Sequence, residues 1–135
     1  MLATAGALPA GDGWAYEVKW DGVRALVAVE GGAVRATSRN GNDITGGYPE
    51  LRSLSGLPDV LLDGEIVALV DGRPDFGALQ NRMHVRSPRP ELVAATPVAF
   101  IPFDVLHAQD SSVLALSYDE RRAVCLLYTS PSPRD

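Results

Sequence analysis

Lys19 stands two residues after Glu17 and two before Asp21, and is the side chain in this sequence best placed to act as a nucleophile. An amine attacks only when deprotonated, so catalytic use requires cationic neighbours or desolvation to lower its pKa. Arg24 follows five residues later, and Tyr16 and Trp20 flank the lysine, so both influences are at hand. Gly22 relieves the backbone where a ligand would have to come close. Other candidates are weaker one by one. Taken singly, Arg24 and Arg39 read as solvated charges, Glu65 as the exposed face of a strand, and Phe103 as core. His84 and His107 have no partner at metal-ligand spacing and read as structural or exposed.

The surrounding pattern indicates what must hold these groups. From Trp14 to Asp21 the chain alternates, with Trp14, Tyr16, Val18 and Trp20 on one side and Glu17, Lys19 and Asp21 on the other. That predicts a half-buried strand with a polar face, the four apolar residues forming its buried side. Val23 to Val29 reads as a second strand, Gly31-Gly32 as a hairpin turn, and Ala33 to Ser38 as the returning strand. Asn40-Gly41 marks a further turn, and Pro49 opens a short helix through Leu54. Val60 to Val70 is an apolar, β-branched strand with a bulge or bend at Asp63-Gly64, and Asp71-Gly72 is a hairpin turn. Phe76, Leu79 and Met83 at helical spacing predict a short amphipathic helix over Phe76 to Met83. Val98 to Leu106 is another strand, in which Pro102 implies an edge or a bulge. Ser117-Tyr118-Asp119-Glu120 is a capping box that opens a last helix. Short strands joined by hairpin-length turns give an α+β class with a mainly antiparallel sheet and short helices.

Bulk properties narrow the function. With 135 residues, 46% hydrophobic and 21% charged, the chain suits one small globular domain rather than a disordered segment. One cysteine, Cys125, rules out a disulfide framework and a thiolate metal cage. No apolar run approaches a membrane span, and the N-terminus lacks a signal-peptide layout, so a cytoplasmic protein without a membrane partner is expected. The net charge of −5 argues mildly against a polyanionic partner, although a binding groove needs only a local basic patch.

Four segments together carry more weight than any residue alone. Tyr16-Glu17-Val18-Lys19-Trp20-Asp21-Gly22-Val23-Arg24 resembles the first motif of the covalent nucleotidyltransferases, the ligases and capping enzymes. Thr37-Ser38-Arg39-Asn40-Gly41 resembles the second ligase motif, Leu62-Asp63-Gly64-Glu65-Ile66-Val67 the third, and Phe100 to Leu106, containing Phe103-Asp104-Val105-Leu106, the one after it. They occur in the family's order and cover essentially all of residues 14–124. The resemblance is to ATP-dependent DNA ligases, and Thr37 to Thr45 with Pro74 to Met83 look most like the ligase domains of bacterial end-joining proteins. It implies a partial adenylation domain that seals nicked double-stranded DNA in repair or recombination. Lys19 would attack the α-phosphorus of ATP and carry AMP, and Asp21 would support the site and the later chemistry at the nick. Glu17 would lie at the adenine contacts, and Arg24 and Arg39 would face nucleotide and DNA phosphates. Glu65 would bind the ribose hydroxyl or help hold Mg2+ or Mn2+, and Phe103 would stack on adenine. RNA ligase, capping guanylyltransferase and a non-catalytic nucleotide-binding module are the competing readings. The eighteen residues before Lys19 are too few for the upstream domain of an NAD-dependent ligase.

The departures from the family pattern set a limit. The sequence contains no E-G-x-V-x-K and no K-x-K segment, the later motifs that supply a second metal carboxylate and phosphate-binding lysines. Positioning and charge neutralisation do most of the work in such transfers, so this chain alone is expected to be nearly inactive. Residues 1–13 read as an entry arm and 14–124 as the N-terminal part of the adenylation domain. Residues 125–135 resemble a translated sequencing adapter and read as a non-native tail outside the fold.

Overall fold

The apolar alternation that follows Gly22 builds the sheet outward from a hairpin. In the computed structural model, which describes residues 4–129, β1 (Val23–Glu30) pairs antiparallel with β2 (Ala33–Ser38) across Gly31-Gly32. On its other side β1 pairs with β3 (Val60–Val70), which turns through Asp71-Gly72 into the two-residue β4 (Arg73–Pro74). β5 (Val98–Ala108) lies against the far side of β3, and the short β6 (Ser111–Ser112) pairs with its end. The order is β2-β1-β3-β5-β6, with every pairing antiparallel, which is the α+β arrangement expected from the sequence.

Register decides which side chains face inward. Ala25, Val27 and Val29 of β1 sit opposite Gly64, Leu62 and Val60 of β3, and the five side chains other than the glycine are buried. Together with Ile66, Ala68 and Val105 they make the core face of the sheet. Two 3-10 helices (Thr45–Gly47 and Pro49–Gly56) and α1 (Phe76–Gln80) cover one part of that face through Tyr48, Leu51 and Leu79. Beyond α2 (Pro90–Ala95), α3 (Tyr118–Thr129) covers the rest, inserting Cys125 beside Val29, Leu62 and Val105.

Several expectations hold with adjusted limits. The helix after Pro49 is 3-10 rather than α, closed by Leu51 N–H to the Tyr48 carbonyl at 3.1 Å and Leu57 N–H to that of Leu54 at 3.0 Å. The amphipathic helix stops at Gln80, and Met83 follows in a turn that still packs on the core. The bulge at Asp63-Gly64 exists, as a register shift between Asp63↔Asp104 and Gly64↔Pro102. Pro102 therefore sits next to the irregularity that tolerates it, on a strand whose other edge is paired only at His107 and Ala108. α3 shows no break after Val124: it runs on to Thr129, and Cys125 is fully buried. Residues 130–135 of the expected tail, and 1–3 of the expected arm, lie outside the described residues.

One expectation fails. Residues 14–21 form no strand, and Trp14, Tyr16 and Val18 are 60%, 62% and 69% exposed, with only Trp20 half-buried. Alternation records which side chains share a side, but burial needs a covering layer and a strand needs a neighbour's backbone. Both edges of β1 are already taken by β2 and β3, and no described strand pairs with residues 14–21.

The layer over the first part of the core is tied together by a charge that sequence reading did not mark. The guanidinium of Arg82, fully buried, donates to both carboxylate oxygens of Glu50 at 2.9 and 3.1 Å. It also donates to the carbonyls of Thr96 at 2.7 Å and Gly47 at 3.0 Å, and lies over the Tyr48 ring at 5.8 Å. It thus joins both 3-10 helices to the ends of α1 and α2. Arg82→Ala should cost about 3–5 kcal/mol, because it strands Glu50 and two carbonyls without their donor. Urea unfolding of the variant beside the parent measures this, and a loss under about 0.5 kcal/mol would show that Arg82 does not organise the layer.

Candidate active site

The face of the sheet opposite the core is polar at one end, and register places its charges together. Arg24 of β1 lies directly across from Glu65 of β3, and Asp63 is two residues along on the same face. Arg24 grips Asp63 with two bonds, Nε to Oδ1 at 3.0 Å and Nη2 to Oδ2 at 2.7 Å. Asp63 is buried, so this fork is its compensation for lost water. The same guanidinium sits 5.4 Å from the centre of the Phe103 ring. Phe103 is the extra residue of the β5 bulge, lying between Pro102 and Asp104, which pair with Gly64 and Asp63. Gly64 permits the approach: a Cβ there would meet the Ile101 carbonyl oxygen and the Phe100 ring at 2.6 Å.

The electrostatics follow from this crowding. The hydrogen bond to Asp63 raises the pKa of Arg24 despite the opposing effect of burial, and the charges of Asp63, Glu65 and Asp104 add to the rise. Burial pushes the Glu65 carboxyl above the ordinary glutamate range. The Gly22 N–H, Arg24 and Lys19 pull it partly back, while Asp21 pushes the same way as burial. Lys19 and Asp21 are exposed, yet both act on Glu65, so the loop that carries them passes over this end of the sheet. Gly22 sits at the crossing, where a Cβ would collide with the Ile66 carbonyl oxygen.

Other predicted residues are placed differently. Glu17 is exposed and accepts a 2.6 Å hydrogen bond from the Tyr118 hydroxyl, at the first residue of α3. That bond, with burial and the Glu17 charge, pushes the Tyr118 phenol up to about 12. The start of α3 is itself fixed. Glu120 accepts from the Ser117 N–H at 2.8 Å and its hydroxyl at 2.7 Å, completing the capping box, and Arg121 forks onto Asp104 at 2.9 and 3.1 Å. Arg39 is exposed in the turn after β2 and makes no side-chain hydrogen bond or ion pair among the described residues. A cleft of about 620 Å3 between Asn42–Tyr48 and Met83–Arg86 includes His84 but none of Lys19, Arg24, Arg39, Glu65 or Phe103.

The structure therefore gathers Arg24, Glu65 and Phe103 beneath Lys19 and Asp21, and sets Glu17 and Arg39 apart from them. Reading by motif named neither Asp63 as the partner of Arg24 nor Tyr118 as that of Glu17. An acid inside the apolar run Val60 to Val70 was a usable signal for Asp63, since a buried carboxylate needs a cation. Tyr118 is 101 residues from Glu17 in sequence, and nothing local marks it. For a divalent ion, no group of three or more His, Cys, Asp or Glu is assembled among the described residues. An ion held by one or two carboxylates plus phosphate oxygens fits such a sparse set, and Glu65, with Asp21 near it, would hold it.

Comparison with known proteins identifies the family. Residues 4–134 match the family described as the ATP dependent DNA ligase domain. The chain belongs to that family. The multifunctional non-homologous end joining DNA repair protein LigD of Mycobacterium tuberculosis (strain H37Rv) is 42% identical over 128 residues, covering 90% of this chain and 16% of the relative. DNA ligase C2 of Mycolicibacterium smegmatis is 42% identical over 115 residues, covering 82% and 32%. The mycobacterial DNA ligase D structure complexed with ATP and MES superposes with a TM-score of 0.71 at 38% identity, over 84% of this chain and 36% of that one. The crystal structure of the ligase domain from M. tuberculosis LigD gives 0.69 at 37% identity, over 82% and 34%. This ligase-family chain thus spans a small part of the end-joining proteins and about a third of the solved ligase domains it matches.

The Glu17–Tyr118 bond has a pH signature. A phenol whose folded pKa is raised keeps its contribution to stability below the ordinary tyrosine value and loses it as pH climbs through about 12. In an alkaline absorbance titration, Tyr118→Phe should remove one late-titrating phenol, and Glu17→Gln should move it back toward the ordinary range. A late phenol unmoved by Glu17→Gln would mean that the carboxylate is not its cause.

Proposed function

We propose that this chain forms the lysine-charging part of an ATP-dependent DNA ligase that seals nicks in double-stranded DNA, acting in end-joining repair and recombination in the cytoplasm. The observation that carries the reading is the convergence of Lys19, Asp21, Arg24, Glu65 and Phe103 at one end of the polar sheet face, opposite the core. Lys19 Nζ, once deprotonated, forms a bond to the α-phosphorus of ATP while the bond to pyrophosphate breaks, leaving AMP on the lysine. Asp21 supports the site during this step and the chemistry at the nick. Phe103, held under the Arg24 guanidinium, offers a flat surface for adenine. Glu65 accepts from the ribose hydroxyl or holds Mg2+ or Mn2+, and its raised affinity for a proton would be reversed by a bound cation. Arg24 contributes positive charge facing phosphate, and Arg39 does so from the exposed turn where a DNA strand can reach it. Glu17 is assigned to the adenine side of the pocket.

We further assign residues 1–13 to an entry arm, 14–124 to the native part of the adenylation domain, and 125–135 to a foreign tail. On that assignment Cys125 and Tyr128 are apolar enough to extend α3 over the core.

A full-length protein carrying these residues should gain one AMP when incubated with ATP and a divalent metal, and Lys19→Ala should abolish the gain. Intact-protein mass spectrometry reads the result, and an adduct persisting in the variant would remove Lys19 from the mechanism. The 135-residue chain itself should not seal a nicked duplex, since losing even one preorganised electrostatic donor typically costs on the order of 10²–10³ in rate. A fluorescent nick-sealing assay tests this, and sealing at a hundredth of the full-length rate would show the absent motifs to be dispensable.

A further inference from the structure

Residues 14–21 carry the reacting lysine but are poorly secured. They belong to no strand, and among the described residues they make no backbone hydrogen bond to the rest of the fold. The Tyr16 hydroxyl donates to the Pro9 carbonyl at 2.8 Å, which ties the segment only to its own arm. A single side-chain hydrogen bond among the described residues joins it to the body of the molecule, from Tyr118 to Glu17 at 2.6 Å. The donor end of that bond is rigid. Tyr118 opens α3, the capping box closes the turn beneath it, and Arg121 fastens the same turn to Asp104 of β5 and to the Leu116 carbonyl at 2.8 Å. One helical turn further on, Cys125 anchors α3 in the core. Asp104 adjoins Phe103, so one short series of contacts runs from the floor of the site through α3 to the segment above it.

We propose that Tyr118 is a positioning residue for Lys19, its hydroxyl holding Glu17 and so fixing the extended segment two residues from the nucleophile. The role rests on the ligase reading above. It goes beyond it by making a residue of the last helix, outside the four motifs, part of what presents the lysine. A misplaced nucleophile is costly because the reacting atoms must be held within a near-attack distance. The phenol suits the task because a neutral donor to a carboxylate makes a strong bond without adding a charge that competes for the nucleotide's phosphates.

The test separates tether from chemistry. Native-state cleavage by a lysine-specific protease, which can cut the 135-residue chain only after Lys19, should be about tenfold faster in Tyr118→Phe, the scale for losing one hydrogen bond to a charged group. Amide hydrogen exchange in β1 and β3 should stay at the parental rate. Glu17→Ala should reproduce the effect, Glu17→Gln should largely rescue it because its amide oxygen still accepts, and Tyr118→Phe combined with Glu17→Ala should add nothing further. Unchanged cleavage after Lys19, or faster amide exchange spread through α3 and β5, would overturn the tether.

In a full-length ligase carrying these residues, Tyr118→Phe should slow AMP-adduct formation about tenfold at saturating ATP, with any rise in the half-saturating ATP concentration smaller than that fall in rate, Glu17 being assigned to the adenine side as well. An unchanged rate there overturns the positioning role even if the segment loosens. If no adduct forms on the parent protein either, the ligase reading fails and takes the positioning role with it, while the cleavage data still report whether the tether exists.

Discussion

The buried carboxylate of Asp63 is the constraint around which the polar face is arranged. It lies on the central strand of the sheet, out of water, with Glu65 beside it and Asp104 across from it. Three acids this close repel one another unless cations are held among them, and Arg121 already takes Asp104. Arg24 meets the demand with a bidentate bond, and the planar fork then leaves one side of the guanidinium for Phe103. Because Arg24 comes from β1, Asp63 from β3 and Phe103 from β5, a single ion pair pins three strands together at the place where Lys19 is brought in. A lysine at position 24 would supply the charge without the fork or the stacking surface.

The second organising charge acts on the opposite side of the sheet. Arg82 gathers the 3-10 helices and the ends of α1 and α2 over the core, using a buried guanidinium where an apolar side chain could have filled the space. What an arginine provides and a leucine does not is direction: its two terminal nitrogens reach the Gly47 and Thr96 carbonyls and the Glu50 carboxylate, while Nε is left without a partner. Short helices contribute little stability by themselves, so their placement depends on such bonds and on Tyr48, Leu51 and Leu79 packing against the sheet.

These two clamps divide the molecule into a well-fastened body and a loosely fastened nucleophile segment. A segment paired into the sheet would be held in one geometry, whereas this one is joined to the body through the Tyr118–Glu17 bond and by no backbone pairing among the described residues. The exposed Trp14, Tyr16 and Val18 belong to the same segment.

Much of this was legible in the residues. The hairpin at Gly31-Gly32, the long strand from Val60 with its irregularity at Asp63-Gly64, the strand around Pro102 and the capping box at Ser117 all follow from local rules. Alternation, turn chemistry and capping act over a few residues, and the sequence contains them whole. The lysine motif and its three companions likewise pointed to the ligase family because type and spacing were enough. Tertiary structure alone decided the rest. Asp63 became the partner of Arg24 because β1 and β3 pair in one particular register. Arg82 became a core residue because four separate segments end around it, and Tyr118 met Glu17 across 101 residues of chain. The alternating run at residues 14–21 promised a strand and did not give one, since periodicity sorts side chains into faces but cannot provide the neighbour that pairs with the backbone or the layer that covers the face.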